Sequence, residues 1–307
     1  MPTFAQSLSH AAARFKKAPA LAGTDHSPHV PLPDQTPMRM GAGAWLAAYA
    51  LLLCALAVAL PVVTLPPNYH DFADHIAWGV LPHARDVLSN AAFAVAGVAL
   101  LWAMRRVQTV RATALSLDTE LALRVSAWGL ILTTFASGIY HLQPNAAGLA
   151  LDRAGMLVAF AGMLGVLVVD YLPQQRVVPV MAGSLLLGAA CVLADWLHGN
   201  MTPWVLFQGG AAGLMLLLPI CMCVLADKQG AATAQSPTLG ISWWQVLALY
   251  AVAKALEMAD HPIWQWSGEL ASGHNLKHVA AAATVLPVMW ALRRVRQGAR
   301  TDTSVRM

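Results

Sequence analysis

Residues 151–171 read LDRAGMLVAFAGMLGVLVVDY, and no charged residue lies between Arg153 and Asp170. About 20 apolar residues are what a helix needs to cross the hydrocarbon core of a bilayer. The stretch therefore predicts a membrane-spanning helix. Seven further runs of the same kind occur at about 43–64, 87–104, 122–141, 177–196, 203–226, 242–262 and 274–293. The connections between them are short and rich in Pro, Gly and Asn, so no soluble domain fits. The fold expected is all-α: a polytopic membrane helix bundle with eight spans.

Composition agrees. The 307 residues are 58% hydrophobic and 11% charged, against about 25% charged in soluble domains. The net charge of +4 is too small to argue for a nucleic-acid partner, and no protein partner is evident. Residues 1–40 carry Arg14, Lys16, Lys17 and Arg39, six prolines and no long apolar core. They read as a disordered basic tail without a cleavable signal peptide.

The charges are sorted along the chain. Arg105, Arg106, Arg111, Arg176, Lys228 and the C-terminal Arg293, Arg294, Arg296, Arg300 and Arg306 fall in alternate connections or at the ends. The intervening segments carry Arg85. Arg153 and Lys277 sit just inside span ends. By the positive-inside rule both termini are expected to be cytoplasmic. Trp78, Trp196, Trp204, Trp243, Trp244, Trp264 and Trp266 cluster near span ends, where interfacial anchors sit. Cys54, Cys191, Cys221 and Cys223 lie in apolar runs without CxxC spacing, which suggests buried thiols rather than disulfides or a thiolate metal site.

Eight of the eleven histidines, from His70 to His278, map to the outward end of this topology. Three pieces there carry chemistry. Ser137-Gly138-Ile139-Tyr140-His141 ends one span, with Ser137 and His141 on one helical face. Asp152 opens the next span at about the same depth. His274-Asn275-Leu276-Lys277-His278 opens the last span, with two imidazoles at i, i+4. Three imidazoles suit zinc with an open position for water. Asp152 could exchange the proton, and Ser137 could orient the water or a carbonyl.

The ordered set SGIYH, Asp152 and HNLKH resembles the superfamily that joins alkaline ceramidases to the progestin and adipoQ receptors. YHDFADHIAWGVLPHARDVLSNAAFAVAGVAL (69–100), AKALEMADHPIW (253–264) and SGHNLKH (272–278) are similar to spans of bacterial ceramidase-like membrane proteins. The resemblance covers roughly 68–293. It implies an added N-terminal span (41–65), a seven-helix core (66–295) and a basic C-terminal tail (296–307). It also implies that His141, His274 and His278 bind Zn2+, that Asp152 holds the water and that Ser137 assists at the oxyanion. The activity implied is zinc-dependent hydrolysis of an amide in a ceramide-like lipid. The location implied is a bacterial cytoplasmic membrane, with the site near the periplasmic face. Eukaryotic members bind Ca2+ through a Trp-Cys-Glu-Asn-like cluster. Here Asn68 to Asp74 lacks that element and keeps two carboxylates, Asp71 and Asp74, as candidate calcium or entrance residues.

Alternatives stay open on sequence alone. A receptor of the same fold would use the same residues around a structural zinc. A haem carrier fits poorly, because His274 and His278 facing His141 suit a small ion. A proton-coupled transporter would need midplane ionisable groups, and only Lys254 and Glu257 lie there. Lys254, Glu257 and Asp260 share a helical face. Glu257 reads as the partner of Lys254 or, with Asp260, as support for the metal-binding imidazoles. Asp86 reads as an N-cap, Asp195 with His198 as a surface pair, and Lys277 as a snorkelling lysine.

Overall fold

The computed structural model describes residues 41–109, 115–229 and 238–305. The N-terminal tail and the last two residues lie outside the described residues. Among the described residues the chain forms helices joined by short loops. In chain order they are α1 (Ala42–Ala59), α2 (Ala84–Ser89), α3 (Ala91–Gln108), α4 (Leu117–Leu142), α5 (Ala146–Tyr171) and α6 (Val177–His198). They continue with α7 (Thr202–Gln229), α8 (Trp243–Met258), α9 (Asp260–Trp266), α10 (Gly273–Ala283) and α11 (Leu286–Val305).

Six helical runs are long and apolar enough to cross a membrane: Ala42–Ala59, Ala84–Gln108, Leu117–Leu142, Ala146–Tyr171, Val177–His198 and Thr202–Val224. The protein is an integral helical membrane bundle. The last two expected spans are interrupted. The seventh breaks at Ala259 between α8 and α9. The eighth breaks at Thr284–Val285, just before Pro287 in the first turn of α11. The first span is shorter than expected. Leu60 is extended with ψ 152° because Pro61 follows, and a residue before proline is driven out of the helical region.

Helices α4 and α5 are packed most closely. A Cβ on Gly129 would lie 2.2 Å from the Ala159 nitrogen, and one on Gly162 would lie 2.3 Å from the Ser126 nitrogen. Small residues let two backbones meet where lipid supplies no hydrophobic drive. Ser116 caps the start of α4, and Asn145 caps α5 through its side-chain oxygen in the short turn that sets His141 beside the start of α5. At the opposite end Asp170 accepts from the backbone N–H groups of Leu239, Gly240 and Ile241 and from Trp243 Nε1. That carboxylate ties the entry of α8 to the end of α5.

Three of the tryptophans read as interfacial are packed instead: Trp204, Trp243 and Trp264 are buried. Each has a specific partner. Trp204 stacks on Phe207 under the Arg153 guanidinium, Trp243 bonds Asp170, and Trp264 lies beneath Arg85. The four cysteines are free thiols, but only Cys191 is buried. Cys54, Cys221 and Cys223 lie on exposed outer faces of α1 and α7. An apolar thiol on an outer face faces acyl chains in a bilayer, so exposure there carries no penalty.

Candidate metal centre

The fold brings His141 of one motif to His274 and His278 of the other. One ring nitrogen from each of His141, His274 and His278 falls within 4.8 Å of the others, and all three residues are buried. His141 Nε2 and His274 Nε2 are 3.2 Å apart. Two nitrogens on a tetrahedral zinc, each at about 2.0–2.1 Å, are about 3.3 Å apart. His141 Nδ1 is buried and has no hydrogen-bond partner, so the protein alone does not satisfy this ring. The donor set of three imidazoles and the Nε2–Nε2 spacing fit a divalent metal ion of borderline softness.

His278 is oriented from outside the cluster. Its Nδ1 lies 2.7 Å from Ser89 Oγ, and Ser89 Oγ lies 3.0 Å from the Asp86 carbonyl. The carbonyl can only accept, so the hydroxyl proton points to it. Nδ1 then carries the hydrogen and donates to Ser89. The Nε2 lone pair is left free for the centre.

The N-terminus of α10 is set by a capping box. Ser272 Oγ accepts from the Asn275 N–H, and Asn275 Oδ1 accepts from the Ser272 N–H. Asp260 Oδ1 accepts from the His274 N–H at 2.7 Å, and its Oδ2 accepts from the Ala73 N–H at 2.9 Å. Asp260 thus positions the backbone of a candidate ligand rather than its imidazole. Gly273 permits this approach, since a Cβ there would lie 2.1 Å from the Leu256 carbonyl oxygen.

Asp152 and Ser137 are both buried, on helices α5 and α4, which pack against each other. The pair is one turn from His141 across the α4–α5 contact. Glu257 does not reach the imidazoles. Its carboxylate accepts from Lys254 Nζ and Lys277 Nζ, each at 2.6 Å. Lys277 is therefore an ion-pair partner of α8 and not a snorkelling lysine, because Glu257 offers its ammonium a closer anion than the headgroups do.

Two further expectations are corrected. Asp86 is not an N-cap: it lies within the first turn of α2, whose cap residue is His83, and it is fully buried against Ser272 Oγ at 3.4 Å. Asp195 does not pair with His198 at the surface. It is buried and forms an ion pair with Arg153 of α5, since a buried guanidinium needs an anion. Asp74 is buried as well, and its two oxygens accept from the N–H groups of Ile76 and Arg85. Asp71 is exposed, with its carbonyl accepting from His261. The two candidate calcium carboxylates do not converge. Among the described residues His141, His274 and His278 form the one group of three or more metal-ligating side chains.

Residues 60–83 form a cap over the centre. Phe72 is buried against His141 and His274, with ring centroids 4.7 and 4.3 Å away. The cap is tied down by Asp260 and by His70, whose Nδ1 lies 2.8 Å from the Tyr140 hydroxyl. Burial lowers the His70 pKa, with the Arg153 charge adding to the effect and Asp195 opposing it. Sequence reasoning missed Ser89, Phe72, Tyr140 and Arg153. Ser89 had a signal: Ser89-Asn90 is a polar pair opening an otherwise apolar run. Phe72 had none, because a lone aromatic in a loop has no periodicity.

Compared with models of known protein families, with curated proteins and with solved structures, the chain has no match.

Proposed function

We propose that the protein is an intramembrane zinc-dependent hydrolase that cleaves an amide bond in a ceramide-like lipid. One observation carries the reading: three buried imidazoles converge at one end of a membrane helix bundle, and a buried hydroxyl and a buried acid, Ser137 and Asp152, lie on His141's own helix and on the helix packed against it. The residues that match the ceramidase-like pattern are the ones that the fold brings together. On this reading the core is the seven-helix ceramidase type, α1 is an additional span, and the broken α8–α9 and α10–α11 runs make the last two of eight crossings. Both termini are then cytoplasmic, and the site lies toward the periplasmic face.

His141, His274 and His278 would hold the ion. Bound there, zinc would polarise a carbonyl and acidify a water. Asp152 takes a proton as the water oxygen bonds to the carbonyl carbon, and returns it to the nitrogen as the C–N bond breaks. Ser137 offers its hydroxyl proton to the carbonyl oxygen. Ser89 keeps His278 in the tautomer that can ligate. Phe72 and the cap exclude bulk water.

Two features favour a lipid. Phe72 of the 60–83 segment covers His141 and His274, and on this reading the substrate approaches from within the membrane. An apolar cavity of about 120 Å³ lies deeper in the bundle, lined by Phe93, Thr133, Phe160, Tyr250 and Ala281 among others. Phe93 packs on His278, with centroids 5.7 Å apart. The cavity has room for part of an acyl chain next to the reacting centre.

The test is turnover with metal analysis. Purified protein should contain zinc and release a fatty acid from a labelled ceramide, and Asp152→Asn should keep the zinc and lose the product. A wild-type protein without zinc overturns the metal assignment. Zinc without turnover of lipid amides or esters moves the assignment to a receptor with a structural ion.

A further inference from the structure

We propose that the groove between α1, α6 and α7, at the end of the bundle away from the histidines, binds an anionic phospholipid, with Arg176 holding the phosphate. The observation is one of shape and charge. The groove has a volume of about 650 Å³, within the range of about 300–1,000 Å³ typical of ligand sites. Helix α1 has no buried residue of its own and leans on α7 along one edge. Tyr49 donates to the Gly210 carbonyl at 2.8 Å, and Leu53 lies over Gly210. The edge facing α6 is left open.

The open side is walled by small and apolar residues, including Ala47, Ala50, Val180 and Gly183, with Leu164 at its floor. In a bilayer such a surface is covered by acyl chains, because water among these atoms would find no hydrogen bonds. The mouth is polar. Gln174, Gln175 and Arg176 line it, at the end where α5 has finished and α6 begins. Arg176 is exposed, and among the described residues no carboxylate pairs with it. A guanidinium beside an acyl groove, with the amides of Gln174 and Gln175 at the same mouth, matches a phosphate on two fatty chains. A zwitterionic headgroup gains less, since its cation meets the arginine. The site does not depend on the hydrolase assignment: it shares no residue with the histidine centre.

The experiment is native mass spectrometry of the delipidated full chain in detergent. It is given equal concentrations of palmitoyl-oleoyl phosphatidylglycerol and phosphatidylcholine. Wild type should retain the anionic lipid about fivefold over the zwitterionic one, the effect of one basic residue at a membrane surface. Arg176→Gln should bring the two to parity. Gly183→Phe, placed where a Cβ meets nothing within 4 Å, should displace both lipids while leaving metal content unchanged. Equal retention by wild type, or an Arg176→Gln protein with its preference intact, overturns the phosphate site. A Gly183→Phe protein that keeps both lipids overturns the groove as their location.

Discussion

Ser89 of α2 and His278 of α10 are 189 positions apart in sequence and 2.7 Å apart in space. The contact decides which nitrogen of His278 is available, because Ser89 donates its own hydrogen bond to the Asp86 carbonyl. Groups that orient ligands change metal affinity by about 10–100-fold. Ser89→Ala should therefore weaken zinc binding by that factor in a competitive chelator titration, with the helical content unchanged. An affinity equal to wild type would remove Ser89 from the centre.

Asp152→Asn removes the proton acceptor but keeps the shape. Turnover should fall by about a hundredfold to ten-thousandfold, the usual worth of a positioned acid or base. Ser137→Ala should reduce it less. Both should retain metal, measured by elemental analysis. Loss of metal in Asp152→Asn would make this residue a ligand instead.

Asp260 joins two backbones, those of Ala73 in the cap and His274 in the ligand helix. Each hydrogen bond to a charged group contributes about 1.5–3 kcal/mol. Asp260→Ala should lower stability by about 3 kcal/mol or more, read as a drop in melting temperature. Asp260→Asn, which keeps one acceptor, should lie between. Zinc should leave the Ala variant faster in the presence of a chelator, because the cap and the ligand helix loosen together.

Gly162→Ala tests the α4–α5 contact. Its new methyl would sit 2.6 Å from Ser126 Oγ and closer still to the backbone nitrogen. Overpacking of this kind costs about 1–3 kcal/mol. The melting temperature should fall, and activity with it, since His141 and Asp152 lie on the two helices that are forced apart. Gly138→Ala, where a Cβ meets nothing within 4 Å, should be silent.

His70 gives the cap a pH dependence. Its folded pKa lies below the ordinary 6.5 through burial and the Arg153 charge. The unfolded state thus binds the proton more readily. The contribution of this residue is complete above about pH 6.5 and is lost as pH falls toward the folded value. Proteolysis of the 60–83 segment should accelerate between neutral pH and about pH 5–6. His70→Gln, assayed under the same conditions, should lose that acceleration. An identical profile for both proteins would show that the cap opens for another reason.

Legibility followed the range of the signal. The spans from 84 to 224 were readable because lipid demands an uninterrupted apolar run, and that demand is local. The interruptions of the last two, at Ala259 and at the Thr284–Val285 junction, are not legible there, because hydropathy alone sees each run as continuous. His141, His274 and His278 were found by helical spacing and by their sorting to one end. The partners of Asp86, Asp195 and Lys277 were not, since each is chosen by a helix distant in sequence.

By itself the sequence determined that this is a helical membrane protein with eight of its eleven histidines at one end, because both follow from the cost of placing charge in hydrocarbon. Only the tertiary structure decided that three of those histidines meet, that Ser89 orients one of them and that Phe72 covers two. Those contacts depend on how closely α4, α5 and α10 approach. That distance is set by glycines and buried carboxylates acting across the bundle, a term that no single segment contains.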